Sequence, residues 1–381
     1  MLKDTSTDRF IERLARPVCD ALRVVSDDEV IVDWTSGRTT EPLFDLMSVT
    51  KSVVSVIIGR LFFEGILDDL DYPLAEALPA WRGTPRQAIT LRHLMAHTSG
   101  LDCSATSEQV FASGDVIAFA LEAELVSQPG ACFGYNNRAV NLLSAVVMEV
   151  AARPLDELAR DLLFAPLGIE KWKWSRDAKG TPLCMSGCYL DPEGLSAIGR
   201  LMLNGGTWRG LRLLSDEWCR VSTTACPPSS RTDLQHYLRG YGLLWWILYP
   251  SDESFAIDQD VVDVWRSAMP ALDGNVLACM ASLSGRAYSR DELISTAADR
   301  LRAGLNVDRE SALNAWYDST WRRGLPDGRR VAGSEAGFFA EGARGQLLLV
   351  QPDRGRVAIQ LSHKDHHPAT AHELRDAVNA L

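Results

Sequence analysis

The stretch LMSVTKSVVSVIIGRLFFEGIL, Leu46–Leu67, is the most apolar run in the chain, yet it carries a lysine almost at its start. Lys51, Arg60 and Glu64 interrupt it, so it falls short of the roughly 18 to 20 uncharged residues a membrane span needs. It reads instead as a helix built to be buried. An ammonium group one turn into such a helix needs a reason, and Ser48 supplies one. Positions three apart share a helix face, so Ser48 and Lys51 are predicted within hydrogen-bond reach at the helix's first turn. A serine hydroxyl is a weak nucleophile until a base takes its proton, and a lysine whose charge is disfavoured by apolar surroundings can do that. The helix amino terminus adds N–H groups aimed at negative charge developing near Ser48. The plain alternative makes Ser48 a helix cap and lets Lys51 reach water along its stem. Of the six lysines, only Lys51 has Ser or Thr three positions before it, but Ser-x-x-Lys alone is a weak signal.

A second candidate lies in PGACFGYNN, Pro129–Asn137, a Gly-punctuated loop before a helical run, which holds the chain's only Tyr-x-Asn, Tyr135 and Asn137. A tyrosine oxygen near cations can pass a proton between a serine and a leaving group, and an asparagine amide can hold a substrate carbonyl. The competing reading is a Tyr packed under a turn with Asn capping the next helix.

The whole chain sets the limits within which these motifs act. Its 381 residues, 46% apolar and 23% charged, suit one large folded unit or two domains sharing a core. The net charge of −11 is scattered without blocks, which disfavours a nucleic-acid partner. The N-terminal segment reads as a polar lead into an amphipathic helix and not as a signal peptide, so a cytoplasmic location is expected. Eight cysteines spread over the chain give no disulfide framework, and Cys184 and Cys188 lack a second Cys/His pair for a zinc site. No metal or organic cofactor is expected.

Periodicity and punctuation predict a helix over Thr7–Arg23, a strand over Glu29–Trp34 and the Leu46–Leu67 helix. Further helices are predicted at Leu91–His97, Asn141–Ala152 and in DPEGLSAIGRLMLNGG. YGLLWWILY suits a strand, GQLLLVQPDRGRVAIQLS reads as a hairpin around Pro352–Gly355, and TAHELRDAVNAL closes the chain as a helix. This order implies an α+β fold: an antiparallel sheet made from both ends of the chain, flanked by helices, with an all-helical domain inserted. The expected boundaries are 1–70 with 232–381 for the sheet domain and 71–231 for the helical one. Residues 258–333 are charged and helix-periodic, and read as a lid, a dimerisation element or a solvated helical insertion.

The two motifs, in this order and roughly ninety residues apart, resemble the serine β-lactamase and penicillin-binding-protein superfamily. The likeness is nearest to the class C β-lactamase and esterase branch that includes 6-aminohexanoate-dimer hydrolases. Blocks such as ITLRHLMAHTSGL, FGYNNRAVNLLSAVVMEVAARPLDELARDLLFAPLGI and YGLLWW follow in the family's order. The resemblance implies Ser48 as acylated nucleophile, Lys51 as its base, Tyr135 as proton shuttle and Asn137 as a substrate-orienting amide. The third family motif is a cationic triplet, and here Ala340-Glu341-Gly342 stands in its place, which makes penicillin-like substrates doubtful. After Gly342, Ala343 is expected to offer its N–H, with that of Ser48, as an oxyanion hole. Arg344 or His363 could replace the missing cation. Of Trp245 and Trp246, one ring is expected to wall the pocket, with Trp245 the candidate, and the other to pack in the core.

The function implied is a serine hydrolase acting on a small-molecule ester or amide, as a monomer or homodimer. The alternatives are an acyltransferase passing the acyl group from Ser48 to an amine or alcohol, and a non-catalytic small-molecule-binding relative.

Overall fold

The structure is a computed structural model that describes residues 6–15, 19–26, 29–131, 133–226, 240–248, 254–268, 274–320, 325, 327–332, 336–364 and 369–381. Near the N-terminus, helix α1 (Ser6–Leu14) buries Phe10 and Leu14 on one side. It stops well short of Arg23, because Pro17 cannot sit in a helix interior. Ala21–Val25, predicted as the end of that helix, is instead strand β1, followed by β2 (Val30–Thr35). Its branched residues find partners on both sides, with Leu22 opposite Trp34 on β2 and opposite Gln360 near the C-terminus.

Helix α2 (Val49–Phe63) is buried at every position from Val49 to Leu61. β-branched residues are poor helix formers, so the helix owes its stability to burial on all sides and not to propensity. Gly59 lets α2 approach its neighbour: a Cβ there would lie 2.3 Å from the Trp218 indole, which stacks on Phe62 at 5.0 Å.

Helices α3 (Leu142–Ala151) and α4 (Pro192–Leu203) fall where the periodicity puts them. The region between them is not purely helical. Trp172–Trp174 and Cys188–Leu190 form a small sheet with Phe44–Asp45, which ties this region to the start of α2.

The remaining strands are β3 (Trp246–Leu248), β4 (Gly337–Gly342), β5 (Gln346–Gln351) and β6 (Arg356–Leu361), followed by α5 (Ala371–Asn379). They complete a six-stranded antiparallel sheet in the order β2-β1-β6-β5-β4-β3. Of the described residues of YGLLWWILY only Trp246–Leu248 are strand, because Leu244 adopts a left-handed backbone (φ 65°) just before them. Alternation along the strands splits the core in two. One face packs on α2 and α4, the other on α1 and α5.

Within 258–333, the helices Gln259–Ala268, Gly274–Ala281, Arg290–Leu305 and Arg309–Ser319 join a three-stranded sheet around their own core. At its centre Trp265 and Trp316 meet edge to face at 5.9 Å. The insertion is therefore a folded unit and not a solvated helical stretch. Among the described residues no helix is long and apolar enough to cross a membrane.

Replacing Gly59 by Ala would gain about 1 kcal/mol of helix propensity but drive a methyl into a rigid indole. The variant is expected to be net destabilised by about 1–3 kcal/mol, read as a lower urea midpoint with unchanged slope.

Candidate active site

Ser48 occupies the N-cap position of α2, but its hydroxyl caps nothing. Instead it accepts a hydrogen bond from Lys51 Nζ at 3.1 Å and shares one with the Tyr135 hydroxyl. Lys51 does not reach water. It is 1% exposed, and its amine donates to the Met185 carbonyl at 2.8 Å. Burial lowers its pKa from 10.5 to about 7, opposed only weakly by Cys184. Near neutrality a large share of the amine is therefore uncharged, and an uncharged amine that keeps one N–H on Met185 has a lone pair with which it can take the Ser48 proton once the Ser48 hydroxyl turns to it.

Tyr135 stands over this pair, its ring 4.9 Å from Lys51 Nζ. Burial raises its pKa, and the charge of Glu341 adds to the rise against the hydrogen bond from Ser48. The hydroxyl therefore stays protonated at neutral pH, so of the two groups Lys51 is the free base. Its ring is walled by Trp246, stacked at 5.6 Å and 11°, and by Tyr241 and Phe133 beyond.

A buried asparagine that the sequence reading treated only as a helix start joins the pieces. Asn141 donates to the Asn137 carbonyl at 2.9 Å, and its own side-chain oxygen accepts the N–H groups of Cys184 and Met185 at 2.9 and 3.2 Å. One amide thus fixes both the Tyr135–Asn137 loop and the carbonyl that holds Lys51.

Strand β4 reaches the same point from the sheet. A Cβ on Gly342 would lie 2.7 Å from the Leu46 carbonyl and 2.9 Å from the Ser48 nitrogen, so only glycine lets the strand approach so closely. At the start of α2 the N–H groups of Val49, Thr50 and Lys51 are taken by the carbonyls of Leu46, Met47 and Ser48, which leaves the Ser48 N–H outside that ladder. Met47, just before it, is held at φ 48° with its own N–H on Asp45. Ala343 follows Gly342 at an exposed turn.

The other sequence candidates are placed as follows. Asn137 donates to Ser107 Oγ at 2.9 Å and leaves its buried Oδ1 without a partner among the described residues. Arg344, at φ 64°, and His363, stacked on Phe44 at 4.1 Å, line a separate cavity of about 290 Å³ with Asp45, Lys173 and Tyr189. Trp245 is not the wall. It is fully buried, edge-on to Phe338 at 5.2 Å in the α2-side core, and Trp246 is the ring at Tyr135. The alternation of a strand puts neighbouring side chains on opposite faces, and the pattern alone does not say which is which. Glu341 lies on the same β4 face as Phe339, beneath Trp246.

A fold of this kind, with a Ser-x-x-Lys helix meeting a tyrosine loop at the end of an antiparallel sheet, belongs to a known class. The beta-lactamase family model matches residues 8–381, and the chain belongs to the beta-lactamase family. It is 31% identical to esterase EstB of Burkholderia gladioli over 163 residues, 36% of this chain and 41% of the esterase. It is 26% identical to penicillin-binding protein 4* of Bacillus subtilis over 141 residues, 35% of this chain and 30% of that protein. The matched segment thus spans less than half the length of these relatives. Two solved structures share the fold over nearly the whole chain. One, from Bacillus anthracis and provisionally described as a 6-aminohexanoate-dimer hydrolase, has a TM-score of 0.63 at 16% identity, covering 97% of this chain and 79% of that one. The other, EstCE1, described as a hydrolase with promiscuous acyltransferase activity, has a TM-score of 0.60 at 16% identity, covering 98% and 96%.

Gly342→Ala is expected to push β4 away from Ser48 while leaving the rest of the sheet paired. On the expectation that the Ser48 and Ala343 N–H groups form an oxyanion hole, in which loss of one donor costs about 10²–10³ in rate, phosphonylation of Ser48 by a fluorophosphonate should slow by about 10²-fold or more. An unchanged labelling rate in the folded variant would mean that the close approach has no role at Ser48.

Proposed function

We propose that the chain is a serine hydrolase that cleaves an ester or amide bond of a small molecule through an acyl-enzyme on Ser48. The observation that carries this reading is the Lys51 amine, buried at 3.1 Å from Ser48 Oγ with its pKa lowered to about 7. Burying an amine costs several kcal/mol, a cost a purely structural lysine avoids by reaching water.

In the proposed cycle Lys51 takes the Ser48 proton as Oγ attacks the substrate carbonyl. The N–H groups of Ser48 and Ala343 receive the oxyanion. Tyr135, protonated in the free enzyme, gives its proton to the leaving group and is reprotonated from Lys51, so the two act as a coupled pair. Water, activated by the same pair, then releases the acid and restores Ser48. Asn137 Oδ1 is suited to accept from a substrate amide or hydroxyl.

Glu341 bears on the substrate. Its charge is felt at Tyr135, on the strand edge where relatives with a cationic triplet hold a substrate carboxylate. A carboxylate there repels an anionic group, so the favoured substrates are neutral or cationic beside β4, and penicillin-like acids are disfavoured. The second reading, transfer of the acyl group to an amine or alcohol, draws on the likeness to EstCE1 and on the aromatic wall around Tyr135, which limits water near the acyl-enzyme.

Intact-protein mass spectrometry after exposure to p-nitrophenyl esters and a fluorophosphonate should show an adduct on the native chain and none on Ser48→Ala. Turnover that rises with added amine would select the transferase. The absence of any adduct on the folded native chain would sink both readings. Because Lys51 acts as a neutral amine, kcat/KM should climb about tenfold per pH unit below pH 7 and level off above it. A flat profile from pH 5 to 9 would contradict Lys51 as the base. Glu341→Lys should lower kcat/KM for an ester with an ammonium group relative to its carboxylate analogue by about tenfold or more. An unchanged ratio would remove Glu341 from substrate selection.

A further inference from the structure

We infer that His97 is the positioning residue for Tyr135, a clamp that grips the tyrosine's loop on both sides of it. This rests on the proposed role of Tyr135. His97 follows helix Leu91–Met95 and is buried, in a left-handed conformation at φ 54° that ordinary side chains rarely adopt. Its carbonyl accepts the Gly134 N–H at 2.8 Å, and its ring Nδ1 accepts the Asn136 N–H at 3.3 Å. The residues immediately before and after Tyr135 are therefore both bonded to one histidine. A further rung runs from the Gly130 N–H to the Thr98 carbonyl at 2.7 Å, so the loop lies along the 97–98 backbone. The His97 ring also packs 4.5 Å from the Tyr135 ring and 5.2 Å from Tyr241.

The bond from Asn136 requires Nδ1 to be an acceptor, which places the ring proton on Nε2 of a neutral imidazole. Burial and the charge of Lys51 both disfavour a protonated ring, so this state holds across the working pH range. Nε2 has no hydrogen-bond partner among the described residues and is not aligned with Ser48 or Lys51 by any bond, so His97 has no proton path of its own. Its action runs through where it holds Tyr135. The left-handed backbone is what turns both its carbonyl and its ring toward the loop, and the neighbouring Leu244 N–H, bonded to Met95 O at 2.9 Å, ties the same corner to the strand that carries Trp246.

The test uses hydrolysis of a p-nitrophenyl ester by the full chain, comparing His97→Ala, His97→Asn, His97→Gln and Tyr135→Phe with the double variant His97→Ala/Tyr135→Phe. Asn tolerates positive φ and puts an acceptor where Nδ1 stands, whereas Gln carries its amide one bond further out, near Nε2. A misplacement of about 1 Å can cost about 10²-fold, so His97→Ala should lower kcat by about that factor with KM within about threefold. His97→Asn should recover to within about fivefold of the native chain and exceed His97→Gln. In the Tyr135→Phe background, His97→Ala should cost less than about threefold more, since a clamp has nothing to position once the hydroxyl is gone. Equal losses in both backgrounds, or equal activity of the Asn and Gln variants, would overturn the inference; the second comparison holds even if His97→Ala does not fold. If Tyr135→Phe alone keeps full activity, the site reading fails and the clamp with it. If Tyr135→Phe is crippled and the His97 variants are not, only the clamp fails.

Discussion

A lysine amine sealed inside its own helix is the constraint on which the rest of this molecule depends. The apolar surround that stabilises α2 also removes water from Lys51, and the loss of solvation is what brings its pKa to about 7. Among the described residues its hydrogen bonds go to the Ser48 hydroxyl and the Met185 carbonyl. Each must be supplied from elsewhere in the chain at fixed distance. The Met185 carbonyl is set by Asn141, and Ser48 by the turn at Met47 and by β4 pressing on its backbone. Helix, loop and sheet therefore meet at one point because each contributes a group that the buried amine or its serine partner needs.

The backbone around that point is under local strain. Seven described non-glycine residues have positive φ, and four of them, Met47, His97, Leu244 and Arg344, sit at this junction. Such conformations cost of order 1–3 kcal/mol each and persist only where their surroundings over-determine them. Here the surroundings do so. Asp45 holds the Met47 N–H, the 130–136 loop is bonded to His97 and Thr98, and Leu244 is bonded through both its N–H and its carbonyl, to Met95 and to Ser52. These bonds fix the corner between the start of α2, the Tyr135 loop and β3.

Much of this was readable before any coordinates. Ser48 and Lys51 are three apart on one helix, so their contact is local and follows from helix geometry alone. The hairpin of β5 and β6 and the helices α3, α4 and α5 rest on short-range patterns of the same kind. Readings failed where non-local partners decide. Ala21–Val25 looks like the tail of a helix until β6 arrives to pair with it from the far end of the chain. Trp245 and Trp246 are symmetric as a pattern, and only the packing of β3 against β4 assigns one to the core and the other to Tyr135. His97 and Asn141 carry no chemical signature of their own, since a lone His after a helix and an Asn before one are ordinary residues.

Local geometry, then, determined the buried helix, the Ser48–Lys51 pair on its first turn and the glycine that stands at position 342, because those depend on neighbours in the chain and on what a side chain can tolerate. Tertiary structure alone decided how far Lys51 is cut off from water, which aromatic ring stacks on Tyr135, that the Glu341 charge is felt at the tyrosine, and that His97 and Asn141 bracket its loop. Those are properties of distances between segments tens to hundreds of residues apart, and a desolvation penalty or a hydrogen bond exists only when both partners have been brought together.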